Sequence, residues 1–118
     1  MNPISVLIVD DEKELLHTYA EYFSLYGIKT SMAYDGCNAL TTYEEVKPDL
    51  VLMDLNMPKY DGNYAIEKIK EKYAHSKIFV ITGNPDYKFN KNTVNRIFIK
   101  PLKLKNLKEI IINEFKTK

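Results

Sequence analysis

The chain has 118 residues, enough for one hydrophobic core and too few for two ordinary domains. Its 17 Lys and Arg against 16 Asp and Glu leave a net charge of +1, too weak a field to gather nucleic acid or an anionic membrane surface. No apolar run approaches a membrane span, residues 1–9 lack the basic start and apolar core of a signal peptide, and the single cysteine, Cys37, excludes an internal disulfide and suits a reducing cytoplasm.

In chain order, residues 4–9 are a continuous apolar run, as expected of a parallel strand covered on both faces. A helix is expected over 12–26, with Leu16, Tyr19, Ala20, Phe23 and Tyr26 stepping by three and four and Gly27 as its stop. Residues 28–34 alternate weakly, like an edge strand. Asp35 and Gly36 make a turn, and a second helix over 37–46 is expected to end at Pro48, with Cys37 as a small buried or half-buried filler. Residues 50–53 form a strand that delivers Asp54, and a helix over 64–73 turns Ile66 and Ile69 inward. A fourth strand covers 77–81. The segment 84–95, "NPDYKFNKNTVN", is poor helix material and predicts at most a short, irregular fourth helix. A last strand over 97–99 is followed by Pro101 and a helix over 103–115 that buries Leu104, Leu107, Ile111 and Phe115.

Strict alternation of strands and helices with right-handed crossovers implies an α/β fold of three layers, a parallel five-stranded sheet with helices on both faces. Ligands of such sheets sit at the carboxyl ends of the strands. There Asp10 and Asp11 follow strand 1, Asp54 ends strand 3, Thr82 ends strand 4 and Lys100 ends strand 5. Singly each is an ordinary element terminus; Asp11, for instance, reads as a helix N-cap. Together they are three carboxylates that repel one another unless a cation lies among them, with a hydroxyl and an ammonium beside them. Without Cys or His in the set, the donors suit Mg2+ rather than zinc or copper, Asp11 and Asp54 directly and Asp10 through water. Such a site can hold a phosphoryl group, with Asp54 placed to attack phosphorus and form an aspartyl phosphate.

The segments "VLIVDDE" (6–12), "LVLMDLNMPKYDG" (50–62), "VITG" (80–83) and "FIKP" (98–101) together resemble the receiver domain of response regulators, the CheY-like fold, over essentially the whole chain. The resemblance implies the doubly wound, flavodoxin-like strand order 2-1-3-4-5. It also implies that Asp54 accepts a phosphoryl group from the phosphohistidine of a sensor histidine kinase or histidine phosphotransfer protein. Asp10, Asp11 and Asp54 would bind Mg2+ together with the backbone carbonyl of Asn56. Thr82 would be the switch hydroxyl and Lys100 the counter-ion, with a cis peptide before Pro101. Asn56 and Asn84 would flank the water that hydrolyses the acyl phosphate. The chain departs from the family at Ile97, where relatives usually carry an aromatic side chain, and in the stretch 82–100, shorter by about one helical turn (about 3.6 residues).

The expected role is a cytoplasmic phosphorelay switch, not an enzyme beyond its own phosphoryl transfer and dephosphorylation. It would signal through a downstream protein, with no membrane insertion and no direct contact with nucleic acid; a homodimer is compatible with it. Residues 1–118 read as one receiver domain, free-standing or part of a longer regulator. Two other readings compete: a receiver-like binding module that works without phosphorylation, and a haloacid-dehalogenase-like phosphohydrolase. The second needs an acid-base Asp two residues after the nucleophile, where this chain has Asn56. The last helix, in a segment with six lysines and two glutamates over 100–118, is expected to offer a contact surface through Ile110 and Ile112, outside its buried stripe.

Overall fold

The computed structural model describes residues 3–55, 62–84 and 94–116. Its elements run β1 (Ser5–Val9), α1 (Lys13–Ser24), β2 (Lys29–Ala33), α2 (Gly36–Val46), β3 (Leu50–Asp54), α3 (Gly62–Lys72), β4 (Ile78–Thr82), β5 (Arg96–Ile99) and α4 (Leu104–Glu114). The five strands are parallel, in the order β2-β1-β3-β4-β5, the doubly wound order expected. The short fourth helix expected within 84–95 lies almost entirely outside the described residues.

The continuous apolar strands serve two layers, because successive side chains leave a strand on opposite faces. Leu7, Val9, Val51, Met53, Ile78 and Val80 meet Ala39 and Tyr43 of α2 and Ala65, Ile66 and Ile69 of α3. Their neighbours Val6, Ile8, Leu50, Leu52, Phe79 and Ile81 meet Leu16, Tyr19 and Phe23 of α1 and Leu107 and Ile111 of α4. Asp49 fastens the entry of β3 to β1: its backbone N–H donates to Ser5 O at 2.8 Å, and its Oδ2 accepts from Ser5 N at 2.8 Å.

Several terminal expectations are corrected. Glu12, not Asp11, is the N-cap of α1, and no side chain caps it. Helix α2 begins at Gly36, capped by Asp35, whose carboxylate accepts from Asn38 N at 2.7 Å. It stops one residue before Pro48, at Lys47, which adopts the left-handed conformation with φ 44° and returns its N–H to Tyr43 O. Cys37 is exposed on the first turn of α2 rather than a filler. Tyr26 lies beyond the end of α1, about half exposed, with its ring against Tyr22 and Lys108 rather than in the core. Ile110 and Ile112 lie outside the fully buried stripe of α4, as expected, and are partly buried against the α1/α4 layer. Leu104 and Phe115, expected in the core, are partly rather than fully buried. Among the described residues, no helix is long and apolar enough to cross a membrane.

Candidate functional site

Strand parity decides which side chains meet at the carboxyl edge. Residues 6 and 8 of β1 and 50 and 52 of β3 face α1 and α4, as does Phe98 of β5. Continuing the alternation by two, Asp10, Asp54 and Lys100 emerge on that same face. Val9 lies opposite Met53 in the register, which makes Asp10 and Asp54 lateral neighbours.

Asp54 is almost buried, at 6% exposure, and its Oδ2 accepts from Lys100 Nζ at 2.8 Å. Burial alone would lower the Lys100 pKa, but the Asp54 carboxylate, with Asp10 and Glu12 behind it, outweighs burial and holds it above the ordinary lysine value. Asp10 is deeper still, at 3% exposure, and its Oδ1 accepts from Glu12 N at 3.0 Å. Burial, and then the facing Asp54 carboxylate, push Asp10 up to about 7, against the opposing pull of the Glu12 N–H and Lys100. Two hard oxygen donors that repel each other in a dry corner are the chemistry a hard divalent cation relieves. Asp10 and Asp54 fit such an ion. Asp11 is exposed next to them, and Asn56 lies outside the described residues, among which no cluster of three His, Cys, Asp or Glu side chains converges.

Thr82 leaves β4 with the opposite parity and is 1% exposed. Its Oγ1 accepts from Asn84 N at 3.0 Å and donates to Asn84 O at 3.2 Å, so the hydroxyl is held within its own turn. Lys100 N donates to Thr82 O at 2.8 Å, which ties the ends of β4 and β5 together, and the Lys100-Pro101 peptide is cis, as expected.

Two further residues border the site without being marked by the sequence pattern. Tyr19, expected as core, also faces the acidic pair, and its phenol is pushed up to about 12 by burial and then by the charges of Asp10 and Asp54. Together with Leu15, Lys100, Pro101 and Leu102 it lines a cavity of about 460 Å³. The parity of β1 and β3 is the signal that points to α1. Gly62 begins α3 against the end of β3; a Cβ there would lie 2.2 Å from Leu55 Cδ2, 3.1 Å from Met53 Cγ and 3.4 Å from Asp54 O. The aromatic that relatives usually carry three residues before the lysine is absent. Ile97 is 40% exposed, while Phe98 points to the other face and meets Phe79 edge-on at 5.7 Å, so Phe98 does not stand in for it.

The model of the response regulator receiver domain matches residues 6–112. The chain belongs to that family. The receiver is similar to the regulatory protein AtoC of Escherichia coli, 33% identical over 66% of this chain and 17% of that protein. It is 30% identical to the transcription factor SKN7 of Saccharomyces cerevisiae over 94% of this chain and 18% of that protein. It is 29% identical to the positive alginate biosynthesis regulatory protein of Pseudomonas aeruginosa over 92% of this chain and 46% of that protein. The receiver thus spans less than half the length of these curated relatives, which are transcriptional or regulatory proteins. Among solved structures, a CheY-like receiver from Methanospirillum hungatei superposes with TM-score 0.87 at 23% identity, over 95% of this chain and 93% of that one. The response regulator TrrA of Thermotoga maritima, solved with Mg2+ and BeF, gives TM-score 0.83 at 25% identity, over 93% and 97%. The fold and the two-component receiver class are those expected from the sequence.

Proposed function

We propose that this receiver is a phosphorylation-activated switch of a phosphorelay, taking its phosphoryl group on Asp54 from the phosphohistidine of a sensor histidine kinase or phosphotransfer protein. The observation that carries the reading is the Lys100 ammonium held 2.8 Å from an almost buried Asp54, beside the buried Asp10. An Asp54 oxygen attacks phosphorus, the P–N bond to the imidazole breaks, and the imidazole leaves with that electron pair. Lys100 orients the attacking carboxylate and then neutralises a phosphoryl oxygen. Thr82, once its hydroxyl turns from Asn84, donates to another. Mg2+, bound by Asp10, Asp11, Asp54 and the Asn56 carbonyl, would supply further neutralisation of the phosphoryl oxygens. Water in place of the donor hydrolyses the acyl phosphate and resets the switch, so the only catalysis is on the chain's own aspartate.

Signalling then passes to a downstream protein. The curated relatives extend far beyond the matched region, and that additional length is where their transcriptional roles can reside. That the Thermotoga regulator was solved in complex with Mg2+ and BeF supports the reading. The test is intact mass spectrometry after incubation with acetyl phosphate, with Mg2+ and with chelator. A single phosphoryl adduct that requires Mg2+ and disappears in Asp54→Asn is expected. Absence of any adduct at all Mg2+ concentrations would overturn the proposal in favour of a binding module that works without phosphorylation.

A further inference from the structure

Phosphoryl transfer to Asp54 gives no part to Tyr19, yet α1 brings that phenol to the same cavity that Lys100 lines. The ring is fixed in place. It is 7% exposed, sits within the α1/α4 layer and stacks on Phe23, with centroids 5.9 Å apart at 24°. A helical side chain leans toward the N-terminus of its helix, and α1 starts at the carboxyl edge just after Asp10 and Asp11, so the phenol oxygen is carried from the core toward the acidic corner. Among the described residues no hydrogen bond engages that oxygen, and it is open to the cavity rather than sealed in the core. Burial, then the charges of Asp10 and Asp54, keep it protonated at neutral pH, a neutral O–H donor without an acceptor.

Donors on this face of the sheet are few. The Lys100 ammonium is taken by Asp54 Oδ2 at 2.8 Å, and Thr82 leaves β4 on the opposite face with its hydroxyl held by Asn84. A phosphoryl group on Asp54 brings about two negative charges and three strong acceptor oxygens into this corner. A donor already fixed there stabilises that charge without reorganising. The acceptor that Tyr19 lacks in the resting state therefore arrives with phosphorus.

We infer that the Tyr19 hydroxyl is a further donor to the phosphoryl group on Asp54, an inference that rests on the phosphorylation reading of this site. The bond is made only in the phosphorylated state and in the transition state leading to it, so Tyr19 favours formation of the acyl phosphate and adds nothing to the resting fold. Tyr19→Phe removes that oxygen alone and keeps the ring on Phe23. Wild type and variant are each incubated with Mg2+ and acetyl phosphate, with the adduct followed by intact mass, and each is titrated by NMR with beryllium fluoride, a phosphoryl mimic. The variant should gain the adduct about tenfold more slowly and bind beryllium fluoride about tenfold more weakly, the loss of one hydrogen bond to a charged oxygen. Its urea unfolding without ligand should match the wild type. In wild type labelled at the tyrosine Cζ carbons, Tyr19 should shift on addition of beryllium fluoride while Tyr43, packed on Tyr73, stays in place; this reading does not depend on the variant folding. The inference is overturned, with the phosphorylation reading intact, if the wild type takes the adduct and the variant equals it in rate and affinity, if Tyr19 Cζ does not shift, or if the loss of rate comes with an equal loss of unfolding stability. A wild type that neither forms the adduct nor binds beryllium fluoride overturns both.

Discussion

Asp10→Asn should make the receiver more stable near neutral pH and leave it almost unchanged in acid. In the unfolded chain Asp10 ionises at its ordinary value of 3.8, whereas in the fold burial and Asp54 push it up to about 7. The folded state therefore binds the extra proton across that window, and the stability tied to this proton is fully present below pH 3.8 and lost as pH rises through about 7. At 1.36 kcal/mol per pH unit the interval corresponds to a ceiling of about 4 kcal/mol. The opposing Glu12 N–H and Lys100 ammonium share the same corner, and local relaxation reduces the cost, so a gain of about 2–3 kcal/mol is expected for the variant near pH 8. The asparagine keeps an acceptor for the Glu12 N–H, at 3.0 Å from Asp10 Oδ1, and presents a neutral donor to Asp54. Urea unfolding with chelator present, at about pH 4 and about pH 8, measures the difference directly. Adding Mg2+ should then stabilise the wild type more than the variant. A variant no more stable than the wild type near pH 8, or a difference that fails to shrink in acid, would refute the electrostatic account of the acidic corner.

Gly62→Ala places a methyl group 2.2 Å from Leu55 Cδ2 and 3.1 Å from Met53 Cγ; a loss of about 1–3 kcal/mol in urea unfolding is expected, with slower phosphorylation of Asp54. Lys47→Gly relieves a side chain held at φ 44° and should raise stability by about 0.5–1 kcal/mol, read as a higher thermal midpoint. Asp35→Ala removes the acceptor 2.7 Å from Asn38 N and should cost about 1 kcal/mol in the same assay, with no effect on Asp54 chemistry.

The layers are legible in the residues because strands buried on both faces are continuous apolar runs, and 6–9, 50–53 and 78–81 are such runs. The convergence of Asp10, Asp54 and Lys100 follows from the rule that parallel sheets present their sites at the carboxyl edge. Parity and close approach are harder to read. That Thr82 leaves on the other face, that Tyr19 looks toward the acids, and that Gly62 is pressed against Leu55 are facts about which face and how near, which residue spacing along one element does not encode. Helix α2 ends at Val46 as expected, but what ends it is a backbone conformation rather than Pro48: Lys47 enters the left-handed region before the proline is reached. Ile110 and Ile112 fall outside the fully buried stripe of α4, as their spacing suggests, yet remain partly buried against the core. Asn56 and most of the Asn-rich segment belong to stretches outside the described residues, and their expected roles stand on the family resemblance.

On the proposed function, the carboxyl edge carries a phosphoryl group on one aspartate among several. The most direct test traps the acyl phosphate by borohydride reduction, after incubation with Mg2+ and acetyl phosphate, and maps the reduced residue by peptide mass spectrometry. Reduction at Asp54 alone is expected, with Asp10 and Asp11 unmodified. Reduction at Asp10 or Asp11, or spread across exposed carboxylates, would contradict it.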